Sequence, residues 1–367
     1  MIQRRQFVQS TFAFASGLAT SGWTTVARRF APRKQVLIVG GTNFIGPAAV
    51  EAAVAAGHRV TLFNRGVSNP GMFPNLELLR GYRGDTLDDQ GLSALDGRRW
   101  DAVVDVWPNN PEMVTALARH LKGHVGHYLY VSSTAAYDGP AYAKPGFTED
   151  EPLRPFSPDY SGGKAESERR LQAEVGDKLT IVRPGAISGY RDTGVGLLTW
   201  LRRAYAGGRH VAPGSGQDPI QVVDGKDVAR FLVAAIDQST FGTFNLTGET
   251  MTFTDFLRQC NAVLRSNAEF VWIPSDFLLR QNVHYRQDFQ FWRPNPGERG
   301  VYQISSERAV RVGWTRRPFE ETALDYLKWM YETDAINPRS GRPGWIDPLT
   351  SARETAILRA WDAQRPS

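Results

Sequence analysis

The sequence predicts an α/β protein, a doubly wound parallel sheet with a smaller C-terminal lobe. Three observations carry this expectation. The apolar, β-branched run Gln35-Val36-Leu37-Ile38-Val39 has the character of a buried parallel strand. A glycine-rich segment, Gly40-Gly41-Thr42-Asn43-Phe44-Ile45-Gly46, follows it directly, and the strongly helix-forming Ala48 to Ala56 then stops at Gly57. Further strand-like runs recur at Arg59 to Phe63, near Leu76 to Arg80, at Asp101 to Val106 and at His127 to Val131.

A strand, a glycine turn and a helix in that order form the diphosphate-binding start of a Rossmann-type sheet. Backbone N–H groups at the helix start must approach the diphosphate closely, and a side chain at Gly40 or Gly46 would obstruct the turn or the helix packing. The whole run Gly40, Gly41, Thr42, Asn43, Phe44, Ile45 and Gly46 is therefore assigned to a nicotinamide dinucleotide. Asn43 stands where a middle glycine is expected and is taken to supply the positive φ of the turn, which asparagine tolerates better than most residues. The second strand ends at Asn64-Arg65-Gly66, without the acid that usually holds the ribose hydroxyls of NAD. Asn64 and Arg65 would accommodate a ribose phosphate, so NADP is preferred over NAD. Asp85, after the third strand, is expected at the adenine amino group.

The strand His127 to Val131 runs into Ser132-Ser133-Thr134, and Tyr160-Ser161-Gly162-Gly163-Lys164 begins 27 residues beyond Ser133. A helix from Tyr160 through Glu174 puts Tyr160 and Lys164 one turn apart on one face. An ammonium beside the phenol is expected to lower its pKa, so that Tyr160 exchanges a proton with a substrate oxygen. Lys164 would also hold ribose hydroxyls of the cofactor, and Ser133 would hydrogen-bond the reacting oxygen. Trp107, at a strand end that opens on such a site, is the candidate substrate contact.

These motifs resemble the extended short-chain dehydrogenase/reductase superfamily, the NAD-dependent epimerase/dehydratase family, over about residues 35 to 330. Val182-Arg183-Pro184-Gly185, Gln221-Val222-Val223-Asp224, Asp227-Val228-Ala229 and Gly242-Thr243-Phe244-Asn245-Leu246 belong to the same resemblance. It implies Ser133, Tyr160 and Lys164 as catalytic positions, NAD(P) as cofactor, and a sugar or similar carbonyl substrate under the C-terminal lobe. The Gly-Gly-Thr-Asn-Phe-Ile-Gly and Phe63-Asn64-Arg65-Gly66 segments are also similar to an atypical branch that includes chloroplast stem-loop RNA-binding proteins, which makes RNA binding, or non-catalytic cofactor binding, the alternative.

Domain boundaries follow as a leader and linker over 1–34, a dinucleotide-binding core over 35–190, a lobe over 191–335 with segments at about 219–247 returning to the core, and a tail over 336–367. The leader holds Arg4, Arg5, Arg28, Arg29, Arg33 and Lys34 and no acid, so the rest of the chain carries −1 of the formal +5. That near-neutral body argues against a broad phosphate-binding surface, and no nucleic-acid partner is expected. The order of Arg4-Arg5, a weakly apolar stretch and Thr25-Val26-Ala27 resembles a twin-arginine export signal, implying a periplasmic enzyme that keeps and regenerates its cofactor within each turnover, the alternative being an ordinary cytoplasmic reductase. No run approaches the length of a membrane span. A homo-oligomer is compatible with the sequence. His120, His124 and His127 are separated by Gly123 and Gly126, so no metal site is expected. Cys260 reads as a small buried hydrophobe, and most aromatics between Val271 and Arg299 as lobe core.

Overall fold

Seven parallel strands form the sheet: β1 (Gln35–Val39), β2 (Arg59–Asn64), β3 (Glu77–Arg80), β4 (Trp100–Asp105), β5 (Val125–Val131), β6 (Leu179–Pro184) and β7 (Gly242–Leu246). Their spatial order is β7-β6-β5-β4-β1-β2-β3, which reverses direction between β1 and β4. The computed structural model describes residues 32–83, 89–106, 110–192, 194, 196–333 and 349–364. These described residues make up one compact unit. The twin-arginine segment, Asp85 and Trp107 lie outside the described residues.

Helices cover both faces because the strands are apolar on both. On one face α1 (Ile45–Ala55) packs on α4 (Gly225–Gln238). There Val36, Ile38, Val104, Leu129 and Val182 meet Val50, Leu232 and Ile236. On the other, α2 (Pro111–His120) packs on α3 (Tyr160–Val175) over Leu37, Val103, Tyr128, Tyr130 and Ile181. Alternate residues of one strand thus serve opposite layers, as the pleat requires. The α1 helix starts at Ile45, three residues earlier than its alanine-rich stretch predicts, because Gly46 and Pro47 suit a first turn whose N–H groups need no intrahelical partner.

The lobe has its own core, in which Trp200, Phe253, Phe256, Phe289 and Trp292 are fully enclosed. Its strand pair, Arg209–Pro213 and Glu269–Ile273, is parallel. Phe277, Phe289, Phe291 and Trp292 are core residues, as their composition suggested, and Cys260 is buried, its thiol pushed well above its ordinary pKa by that burial. The last helix, Ser351–Asp362, is held to the lobe by Glu354, which accepts from the Val211 N–H at 2.9 Å and pairs with Arg203 at 3.3 Å.

Candidate active site

The reversal in strand order opens a cleft of about 680 Å³ at the carboxyl ends of β1, β2 and β4. Its lining includes the continuous run Gly40 to Ile45, the run Phe63 to Ser68, and Tyr82 and Arg83. In this architecture ligands bind at such a switch point.

The glycine turn leaves room for a diphosphate through two distinct constraints. Gly40 has φ +105°, which a side chain would strain, while a Cβ on Gly46 would sit 2.8 Å from the Gly41 backbone. The role expected of Asn43 needs correction: the positive φ falls on Gly40, Gly41 and Phe44, at 105°, 77° and 51°, and not on Asn43. Asn43 stays at the exposed tip of the turn and its carbonyl accepts the Gly46 N–H at 3.0 Å. Thr42 is tied to the loop after β2, its carbonyl accepting from Asn69 Nδ2 at 2.7 Å.

Asn64 is spent on the backbone. Its Nδ2 donates to the Gly40 carbonyl at 3.0 Å and its Oδ1 accepts the Gly66 N–H at 2.7 Å, which fixes the second loop against the first. Arg65 lies 5.4 Å from the centre of the Tyr82 ring. Arg80, which sequence reasoning did not single out, places its guanidinium beside Gly66, with a Cβ there falling 3.4 Å from Arg80 Cζ. This end of the cleft is cationic, and no acid lines it among the described residues.

Ser133, Tyr160 and Lys164 converge from two elements. Ser133 follows β5 and caps a short 3₁₀ turn, its Oγ accepting the Ala135 N–H at 3.1 Å. Tyr160 opens α3, which Asp159 caps by accepting the Gly162 N–H at 2.7 Å. The Tyr160 hydroxyl lies near the Ser133 side chain, which acts to lower its pKa. Gly162 is required here, because a Cβ would come within 2.3 Å of the Ser157 backbone nitrogen.

One expectation about this group is corrected. Tyr160 is 44 % exposed, yet desolvation of its hydroxyl end raises the phenol pKa, opposed only by the nearby Ser133 side chain. Lys164 does not lower it, because its Nζ donates to the Val131 carbonyl at 2.7 Å and lies 5.9 Å from the Tyr160 ring centre. The ammonium is itself buried, which pulls it down to about 8 against the attraction of Asp105 and Glu168.

Beneath the triad lies a charged layer that the sequence reading missed. Glu168 and Arg183 pair at 2.6 Å with both side chains buried, and Ser132 Oγ donates to Glu168. Arg183 also sits 4.6 Å over Tyr137, whose hydroxyl donates to Asn245 at 2.6 Å. Burial pushes that phenol up to about 12. A signal was present: Glu168 follows Lys164 at the same four-residue interval that separates Lys164 from Tyr160. Nearer the cleft, Asp105 is completely buried and accepts two bonds from Arg83, at 2.8 and 3.0 Å, and one from Tyr128 at 2.8 Å.

The three histidines do not come together as a site: His120 pairs with Asp96 at 3.0 Å and His127 bonds Thr180 at 2.7 Å. Among the described residues no group of three or more His, Cys, Asp or Glu side chains is placed to hold a metal. On the lobe side Arg293 lies 4.1 Å over Tyr285, and Tyr142, which donates to the Thr134 carbonyl at 3.0 Å, feels Arg154, Arg293 and Arg286. The surroundings of Tyr142 are therefore aromatic and cationic.

Comparison with known proteins agrees with this architecture. The sequence model of the NAD dependent epimerase/dehydratase family matches residues 36–247. The chloroplast stem-loop binding protein of 41 kDa b from Arabidopsis thaliana is 29 % identical over 304 residues, covering 77 % of this chain and 75 % of that protein. Among solved structures, the Bordetella bronchiseptica enzyme WbmG in complex with NAD superposes with a TM-score of 0.62 at 17 % identity, over 88 % of this chain and 98 % of the other. The UDP-glucose 4-epimerase of Thermotoga maritima with UDP-glucose gives 0.61 at 19 % identity, over 82 % and 99 %. At those identities the two superpositions show a shared fold.

Proposed function

Because the chain belongs to the NAD dependent epimerase/dehydratase family, we propose that it is an enzyme moving hydride between a nicotinamide dinucleotide and a sugar-like carbonyl or hydroxyl substrate. The observation that carries this reading is the convergence of Ser133 on Tyr160, one helical turn from Lys164, beside a glycine turn with space for a diphosphate. Gly40 to Gly46 and the loop after β2 would hold the dinucleotide, which supplies the hydride donor or acceptor when bound.

The chain's own residues then have separable tasks. Tyr160, with its pKa raised, is protonated at neutral pH and gives its proton to a substrate carbonyl oxygen; in the oxidative direction it takes the proton back. Ser133 bonds the same oxygen as charge develops there. Lys164 offers a charged donor to the ribose hydroxyls. The aromatic, cationic cluster of Tyr142, Tyr285, Arg286 and Arg293 on the lobe side has the chemistry for a polar, sugar-like ligand.

The cationic adenosine end favours NADP, since Asn64 is fully engaged and Arg65 and Arg80 border the loop where a ribose phosphate would lie. Arg65→Ala is expected to weaken NADP binding about tenfold and NAD binding much less, by loss of one charge-assisted contact. Fluorescence titration with both reduced dinucleotides measures the ratio, and an unchanged ratio would remove the preference.

The second reading is RNA binding on the same scaffold, favoured by the 29 % identity to the stem-loop binding protein. The −1 charge of the chain beyond residue 34 weighs against it. Net turnover separates the two: a panel of sugars, glycosides and nucleotide sugars assayed by absorbance of the reduced nicotinamide and by NMR of the products should yield a substrate for the enzyme. An export-linked enzyme would retain its dinucleotide through each cycle, whereas dependence on added NADPH with rapid cofactor dissociation would mark an ordinary reductase.

A further inference from the structure

We propose that Asp105 is a positioning residue that keeps the buried Lys164 ammonium charged, and that Arg83, reaching from the wall of the dinucleotide cleft, sets how strongly it does so. The proposal rests on the enzymatic reading above and extends it to a pair of residues that no motif includes.

The geometry begins with strand register. Asp105 ends β4 and pairs with Tyr130 of β5, and both side chains fall on the face of the sheet that α3 covers. Lys164, on α3, holds its Nζ 4.8 Å over the Tyr130 ring while donating to the Val131 carbonyl. Tyr130 is therefore the ring shared by the carboxylate's strand register and the ammonium. The groups acting on Lys164 are Asp105 from β4, Glu168 from its own helix and Arg83 from the segment after β3, with Tyr130 and Tyr160 as neighbouring rings.

A buried ammonium needs nearby negative charge to remain protonated. Glu168 has a close cationic partner in Arg183, which bonds it through Nε and Nη2. Asp105 is compensated by Arg83, but Arg83 also lines the cleft, where its guanidinium is 9 % exposed. A buried apolar run such as Ala102 to Val104 has no structural need for a fully buried carboxylate at its end. Burying one there requires two partners, Arg83 and Tyr128, merely to satisfy it. Its electrostatic effect on Lys164 gives that arrangement a function.

Opposite substitutions should therefore act oppositely. Removing the negative charge in Asp105→Asn makes Lys164 lose its proton at lower pH, and removing the positive charge in Arg83→Gln makes it lose its proton at higher pH. The experiment is fluorescence titration of wild type and both variants with reduced NADP and NAD, from about pH 6 to about pH 10, at constant ionic strength. Wild-type affinity should fall as pH passes about 8, where Lys164 loses its charge and its charge-assisted donors. The inflection should move down by roughly 0.5–1 unit in Asp105→Asn and up by a similar amount in Arg83→Gln. A purely structural role for the pair would weaken binding evenly at every pH. An unmoved inflection, or movement of both variants in one direction, would overturn the proposal while leaving the enzymatic reading intact. If Asp105→Asn does not fold, the upward shift in Arg83→Gln decides alone. A wild type that binds neither dinucleotide overturns the enzymatic reading, and this proposal with it.

Discussion

Tyr160→Phe is expected to reduce turnover by roughly 10²- to 10⁴-fold while changing dinucleotide affinity by less than about threefold, the span that general acid–base catalysis supplies. The variant removes one oxygen and leaves the ring. The lost contact is with the neighbouring Ser133 side chain, and Ser133 keeps its cap on Ala135. Because the ring is 44 % exposed, little packing changes, and stability should stay within about 1 kcal/mol of wild type. The raised phenol pKa adds a direction to the pH profile. Carbonyl reduction needs the protonated phenol and should proceed well at neutral pH, whereas alcohol oxidation needs the phenolate and should accelerate as pH rises. Steady-state kinetics in both directions, with binding measured separately, checks both statements. Loss of binding together with turnover would contradict a role confined to proton transfer.

The largest effect on stability is expected at Glu168. Glu168→Ala leaves the Arg183 guanidinium buried without its carboxylate and leaves Ser132 without its acceptor, a change of about 3–5 kcal/mol. The midpoint of thermal unfolding should fall by on the order of 5–10 °C. Replacing both partners together, as in Glu168→Leu with Arg183→Met, should recover most of the loss, because no uncompensated charge then remains inside. Calorimetry of the two variants provides the comparison. An undisturbed single variant would mean that Arg183 is adequately held by Tyr137 and the Glu149 carbonyl, which it already touches.

Much of this architecture could be read from the sequence because its signals are local. A β-branched run, a glycine turn and an alanine-rich helix specify β1, the cleft and α1 without long-range information. Tyr160 and Lys164 were equally legible, since one helical turn relates them whatever the rest of the fold does. The misreadings have a common cause. Asn43 was given the positive φ from composition, but the turn places that backbone state one residue later, at Phe44, where the helix begins. Lys164 was aimed at the phenol from spacing alone, whereas its ammonium gives one of its protons to the carbonyl of Val131 on β5, 33 residues away in sequence. The Arg83–Asp105 and Glu168–Arg183 pairs depend on strand order and on which face each side chain takes. Asp105 still left a trace, as an acid closing the apolar run Ala102 to Val104.

The most direct measurement of the central claim is to purify the protein from its native background, denature it with acid and identify any released nicotinamide dinucleotide by mass spectrometry and absorbance. The account predicts a dinucleotide in near-stoichiometric amount, with NADP ahead of NAD. A protein that comes away empty and binds neither dinucleotide on titration would contradict it, and would point to RNA binding on the same sheet.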